Sequence, residues 1–209
     1  IYWSIMNKYY PHKQGLYDPR NEKDSCGIGF VANIYDIPSR DIIQYGLNIL
    51  ASLTHRGAVS ADPLAGDGVG ILTQIPHEFF QKELSKSNII LPRPDDYAVG
   101  MFFLPHKKDE KDYCLKIINK HFDKFDLKVL HVREVPVNRS VLGRSIKGKE
   151  PSIIQFFIKQ IKPSRIINEF ESILFLVRRY IELELKSFDF YPVSLSPRTI
   201  IYKGMVLSE

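Results

Sequence analysis

Two apolar periods alternate along this chain, and that alternation limits the folds open to it more than any other feature. Ile166, Ile167, Phe170, Ile173, Leu174, Val177, Ile181 and Leu185 fall on one stripe of a 3.6-residue period, with Arg178, Arg179 and Glu182 facing away. Around this helix lie runs of strand length, Ile153 to Ile161 before it and Phe190 to Leu195 after it. Arg198 to Lys203 follows as a further strand across a turn at Ser196-Pro197. Upstream the same alternation recurs. Ser39 caps a helix whose apolar positions are Ile42, Ile43, Gly46, Leu47, Ile49, Leu50 and Leu53, and Val69 to Ile75 is a strand-like run. A short helix from His77 to Leu84 and a strand from Tyr97 to Leu104 come next. Lys108 to Phe125 then places Cys114, Leu115, Ile118, Phe122 and Phe125 on one helical face, and Leu127 to Val135 alternates as a strand. No strict strand-helix-strand repeat emerges, so the expected class is α+β and not a Rossmann sheet. Cys114 is expected in the core.

The chain has 209 residues, 44% hydrophobic and 25% charged, enough for a sizeable core in one domain or most of a larger one. Charges or prolines interrupt every apolar run before the roughly 18 residues of a membrane span. A formal net charge of +5 would permit acidic partners, yet the lysines are mixed with acids, as in Lys107-Lys108-Asp109-Glu110-Lys111-Asp112. That pattern is a solvated helix face, so no nucleic-acid partner is expected. Residues 1–25 are broken by Pro11, Gly15 and Pro19, and Lys8, His12 and Lys13 arrive too soon for a secretory signal. They read as a leader ahead of a fold that starts at Cys26. Ile1 is not an initiator methionine and the chain stops at Ser208-Glu209 after an apolar run, so both ends read as cut.

Cys26 opens the run CGIGFVANI, which has strand length. A cysteine beside Gly27 and Gly29 leaves room for a substrate, although on these residues alone a small buried hydrophobe at a strand start fits better. Removal of residues 1–25 would put a free α-amine on the residue that bears the thiol. With an α-amine pKa of about 7.7–8 and a thiol pKa of about 8.5, proton transfer between them is nearly balanced. One residue could then act as nucleophile and base, like a terminal threonine with its amine.

The long loop THRGAVSADPLAGDG follows the first helix, and loops of that length are often functional. In it, Arg56 of His55-Arg56-Gly57 could bind a carboxylate or brace the loop on Asp62 or Asp67. Gly66 to Gly70, GDGVG, resembles a phosphate cradle, but a strand-like run follows where a helix N-terminus is needed. His12, His77, His106, His121 and His131 show no ligand spacing, so no metal is assigned. Two cysteines, Cys26 and Cys114, support neither a disulfide framework nor a cysteine-rich metal site.

At CGIGFVAN, at LTHRGAVSADPLAGDGVGILTQIP and at SLSPRTIIYKGM, the chain resembles the N-terminal glutamine amidotransferase domain of the glutamate synthase large subunit. LYDPRNEKDS before Cys26 and VPVNRSVLG are similar too, so the likeness runs in order over nearly the whole chain. It implies a class II amidotransferase over residues 26–209 with an N-terminal-nucleophile hydrolase fold, an αββα sandwich of two antiparallel sheets between helices. It also implies removal of a propeptide, residues 1–25, and a γ-glutamyl thioester on Cys26. Arg56, Gly57 and Asp67 are taken as pocket support. The family's glutamine-carboxylate arginine and its Asn-Gly oxyanion pair lie beyond the motif at which this sequence stops, so the stretch alone is expected to be a poor catalyst.

The resemblance further implies ammonia delivery to later domains of the same polypeptide, where 2-oxoglutarate becomes glutamate with FMN and an iron-sulfur cluster. Neither cofactor is expected in this stretch, because a cluster needs several cysteines. Electrons would come from reduced ferredoxin or through a nicotinamide-dependent small subunit. Abundant Ile, Lys, Tyr, Phe and Asn hint at AT-rich plastid coding, favouring ferredoxin and the chloroplast stroma over a bacterial cytoplasm. Two other functions fit parts of the sequence: another N-terminal-nucleophile amidohydrolase, and a non-catalytic nucleotide-binding module built on GDGVG.

Overall fold

A computed structural model describes residues 13–15, 18, 27–35, 37–53, 62, 64, 66, 68–162 and 168–205. In chain order its elements are α1 (Arg40–Ser52), β1 (Gly68–Gln74), α2 (His77–Ser85), β2 (Ala98–Leu104), α3 (Lys108–Lys124), β3 (Leu127–Glu134), a 3-10 turn at Arg139–Val141, β4 (Ser152–Gln160), α4 (Glu169–Glu184), β5 (Tyr191–Ser196) and β6 (Thr199–Met205). The class is α+β with antiparallel sheets.

Four strands make the larger sheet, in the order β3-β4-β2-β5. Ala98, Phe102 and Leu104 of β2 point to one face with Ile154, Phe156 and Ile158 of β4, while Val99 and Met101 point to the other with Phe157. Both faces are covered. On the first, α3 contributes Cys114, Ile118 and Phe122, and α4 contributes Leu174, Val177, Ile181 and the following Leu185. On the second, Phe80 and Leu84 of α2 pack with Leu91, Tyr97, Val193 and Ile200. A sheet buried on both sides explains why β2 and β4 are nearly continuous apolar runs and do not alternate.

The helices obey local rules. Ser39 lies in extended conformation, and its hydroxyl accepts from the Ile42 amide at 3.4 Å, capping α1. Asp109 and Glu110 sit in the first turn of α3 and His121 and Lys124 in its last, each matched to the sign of the helix dipole there. Asp126 then takes a left-handed conformation, φ 55°, which reverses the chain into β3. Its carbonyl accepts from the Ile161 amide at 2.8 Å, tying the start of β3 to the end of β4.

The two strands that close the sequence do not pair as a hairpin. β5 joins β2 in the larger sheet, whereas β6 pairs with β1 in a separate two-stranded sheet, with Ile71 opposite Tyr202. The switch occurs at Ser196-Pro197-Arg198. Ser196 Oγ accepts from the amides of Arg198 and Thr199 at 3.1 and 3.2 Å and holds the corner, a turn in which the hydroxyl residue precedes the proline. Residues 27–34 also depart from their sequence pattern. No strand forms there, and Ile28 and Phe30 are 95% and 92% exposed, so the apolar composition of this run is not matched by pairing or burial among the described residues. Among the described residues, no helix is long and apolar enough to cross a membrane.

Gly100 occupies the tightest point in the larger sheet. A Cβ there would lie 2.5 Å from Phe102 Cε2 and 3.1 Å from Leu195 Cδ1. The Phe102 ring cannot retreat, being held edge-on against Phe156 and stacked on Phe190. Gly100→Ala is expected to destabilise the fold by about 1–3 kcal/mol through overpacking, read as a lower denaturation midpoint with an unchanged slope.

Candidate active site

The long loop between α1 and β1 starts where α1 ends. Leu53 closes the helix, its amide donating to the carbonyls of Ile49 and Leu50 at 3.1 Å. Against it lies Gly27, whose missing Cβ would stand 2.9 Å from Leu53 Cδ2. Gly29 approaches the Ile49 side chain in the same way, a Cβ there meeting Cγ2. The glycines after Cys26 thus let the chain run along the last turn of α1, and Gly27 sits at the doorway of the loop that contains Arg56 and Gly57. Cys26, Arg56, Gly57 and Asp67 themselves lie outside the described residues. Gly46 supports the helix from below by packing over Ile71 of β1, where a Cβ would meet Cδ1 at 3.2 Å.

Within this stretch Asp62 is held at both carboxylate oxygens. Oδ1 accepts from the Leu64 amide at 3.1 Å, shaping the loop locally. Oδ2 accepts from both the amide and the hydroxyl of Ser145, at 2.9 and 2.5 Å, a bond spanning 83 positions of sequence. The expected pairing of Arg56 with Asp62 or Asp67 involves residues outside the described ones; what the structure gives Asp62 is a hydroxyl partner that nothing in the loop itself announced. Ser145 and Gly143 are the residues that reading missed. Their signal was the VPVNRSVLG stretch and the small polar residues just after it, which lie near the 3-10 turn opened by Asn138, whose Oδ1 accepts from the Ser140 amide.

β1 begins at Gly68, directly behind Gly66 and with no helix following. The GDGVG glycines therefore feed a strand, which removes the helix dipole that a phosphate cradle relies on. Gly70 shows what one of them does: a Cβ would sit 3.1 Å from the Tyr202 carbonyl of β6.

The remaining titratable groups hold structure together. His121 is buried on α3, with Nε2 2.7 Å from Glu184 Oε2, and Lys120 donates to Glu184 Oε1 at 2.8 Å. Those two partners, Lys120 first, hold the Glu184 carboxyl below its usual range and join α3 to α4. Among the described residues no group of three or more His, Cys, Asp or Glu comes together as a metal site. Cys114 is fully buried in the α3–α4 core, and burial pushes its thiol up to about 11. It is expected to resist iodoacetamide near neutral pH in the native protein and to react once unfolded, as peptide mass spectrometry would show.

The Asp62 carboxyl is lowered from its ordinary value chiefly by the Ser145 hydroxyl, then by the Ser145 and Leu64 amides. Because the folded value lies below the unfolded one, the link contributes fully above about pH 3.9 and is lost as pH falls through the lower folded value. In an NMR titration the Ser145 amide resonance should hold its position down to about pH 3.9 and move only beneath it.

Comparison with known proteins gives this geometry a family. Residues 26–209 match the family described as Glutamine amidotransferases class-II. The chain is 40% identical, over 95% of its length, to the glutamate synthase [NADPH] large chain of Bacillus subtilis, of which the match covers 13%. It is 39% identical over 94% of its length to the glutamate synthase [NADH] of Saccharomyces cerevisiae, covering 10% of that protein. It is 37% identical over 90% of its length to the chloroplastic ferredoxin-dependent glutamate synthase of Oryza sativa, covering 12%. The sequence thus spans about a tenth of the relatives it matches, and, with its family match running from Cys26 through both sheets, it belongs to the class II glutamine amidotransferases.

Proposed function

We propose that this chain is the glutamine-hydrolysing part of a glutamate synthase, with Cys26 as nucleophile once residues 1–25 have been removed. The observation that carries the reading is the family match, whose first residue is Cys26, together with glutamate synthases as relatives over nearly the whole chain. Residues 26–209 are then the amidotransferase unit and 1–25 its propeptide.

In this reading the Cys26 thiol attacks the side-chain carbonyl carbon of L-glutamine. Its proton passes to the free α-amine of the same residue and from there to the leaving amide nitrogen, so ammonia departs and a γ-glutamyl thioester remains. Water then adds to the thioester, the carbon–sulfur bond breaks, and glutamate leaves with the thiol restored. Arg56, Gly57 and Asp67 support the pocket. What favours this placement is Gly27 against Leu53, since it sets the residue after the nucleophile at the end of α1, just ahead of Arg56 and Gly57 in sequence.

The layering supports the finer fold assignment, an αββα sandwich of the N-terminal-nucleophile type. Helices α3 and α4 cover one face of the larger sheet, β6 with its partner β1 lies over the other, and α1 rests on β1.

The whole enzyme would carry the ammonia to 2-oxoglutarate in later domains of the same polypeptide. FMN and an iron-sulfur cluster would supply reducing equivalents there. This chain's residues do not fit a cluster, since it has two cysteines and Cys114 is locked in the core with its thiol pushed up to about 11. Reduced ferredoxin is the assigned electron donor and the chloroplast stroma the assigned location, supported by the composition and by likeness to the rice chloroplastic enzyme.

Mass spectrometry of the mature full-length protein should find Cys26 as its first residue. Cys26→Ala should abolish glutamine-dependent glutamate formation while ammonia-dependent formation persists. An active enzyme that retains residues 1–25 would rule out the amine as base.

A further inference from the structure

We propose that the outward face of α4 is a docking surface for the later domains of the same polypeptide, which meet it with an apolar patch rimmed by carboxylates. This deepens the glutamate synthase reading and rests on its placing of the chain within a longer polypeptide.

α4 is apolar on two opposite faces. Leu174, Val177 and Ile181 are fully buried against the larger sheet, as a helix at the surface of a domain requires. Away from them, Phe175, Leu176, Tyr180 and Leu183 are 62%, 48%, 44% and 59% exposed. Leu176 and Leu183 stand two turns apart on one line of the helix, and the Tyr180 ring flanks that line on the α3 side, stacked on His121. A lone exposed leucine is ordinary, whereas four large apolar side chains gathered on two turns form a patch. A helix apolar all round belongs to the interior of a larger body.

The neighbouring helix shows what a water-facing helix looks like in this molecule. α3 packs on the same face of the same sheet, and its outward positions Asp112, Lys116, Asn119 and Asp123 are polar and exposed. On α4 the charges are drawn aside. Glu182 accepts from Arg178 Nε at 3.0 Å and also pairs with Arg179, so one carboxylate gathers both guanidinium groups. Lys124 of α3 lies over the Tyr180 ring, 4.9 Å from its centroid. Around the patch Lys120, Lys124, Arg178 and Arg179 outnumber Glu182 and Glu184, a rim that suits carboxylates on the surface that meets it.

Length and chemistry select the occupant. The chain matches only 13%, 10% and 12% of the Bacillus, yeast and rice glutamate synthases, so in those proteins most of the polypeptide lies outside the matching stretch. In the proposed reaction, ammonia freed in this unit is used in another, and the two must stay docked while it passes. Permanent interfaces of that kind are more apolar than those of passing partners, which matches the centre of the α4 face.

The test uses the mature full-length polypeptide. In hydroxyl-radical footprinting read by peptide mass spectrometry, Phe175, Leu176, Tyr180 and Leu183 are expected to oxidise at least roughly tenfold more slowly in the native protein than in urea, since a docked surface excludes water. Uncovered side chains with these exposures would slow by only about twofold, and that result overturns the proposal. For the occupant, p-benzoylphenylalanine in place of Phe175 is photolysed in an equal mixture of isotope-labelled and unlabelled protein. Attachment to a peptide beyond residue 209, within one copy, is expected. Attachment between a labelled and an unlabelled copy makes the face a contact between copies and overturns the proposal, as does protection without attachment to the chain beyond residue 209. Cys26→Ala, assayed alongside, separates the two claims: loss of glutamine use together with a freely oxidised α4 leaves the functional reading standing and the docking surface overturned. A mature protein whose mass is that of residues 26–209 alone overturns both.

Discussion

Everything else in the structure depends on the burial of β2 from both sides. Ala98 to Leu104 is the strand against which β4 and β5 pair, and its two faces feed two separate cores. Phe102 anchors one of them through Phe156 and Phe190, and Val99 with Met101 anchors the other. With no Cβ, Gly100 leaves the space that Phe102 needs. Remove the apolar surface from either face and the helices α3 and α4, or the smaller sheet with α2, have nothing to rest on.

The same double burial explains how a site can be built at some distance from it. The second core binds β6, β6 carries β1 by seven registered pairs, and β1 presents the strand at which the long loop ends. Gly46 and Ile71 bring α1, where the loop starts, onto that strand. Both loop ends are therefore referred to one rigid body through strand pairing and side-chain contact. Asp62 adds a third reference by way of Ser145.

Helices were the most legible part of the sequence. Ser39 and its following stripe gave α1 within a residue of its observed start, and the spacing of Cys114, Ile118 and Phe122 placed the buried face of α3. Strand positions were legible too, from β1 to β6, because period two or a short apolar run survives whatever partner is found. Less was legible of pairing. Phe190 to Leu195 and Arg198 to Lys203 look like two arms of a hairpin, yet they enter different sheets because Ser196 turns the chain through a corner. The run after Cys26 has the composition of a strand and is not one in the described residues. At the site, Asp62 was read only as a possible partner of Arg56, and Ser145 was not read at all, because nothing local in a serine says which carboxylate it will meet.

By itself the sequence determined the helices and strands from α1 to β6, the core positions along them, the seclusion of Cys114 and the glycine-flanked cysteine ahead of an HRG loop. Those properties follow from periods of 3.6 and 2 and from the intrinsic chemistry of single residues, which act over a few positions. Tertiary structure alone decided which strands share a sheet, that Gly27 rests on Leu53, and that Asp62 is answered from 83 residues away by Ser145. Such choices depend on which buried faces can be covered together and which polar groups are then left to find partners, a balance struck over the whole chain.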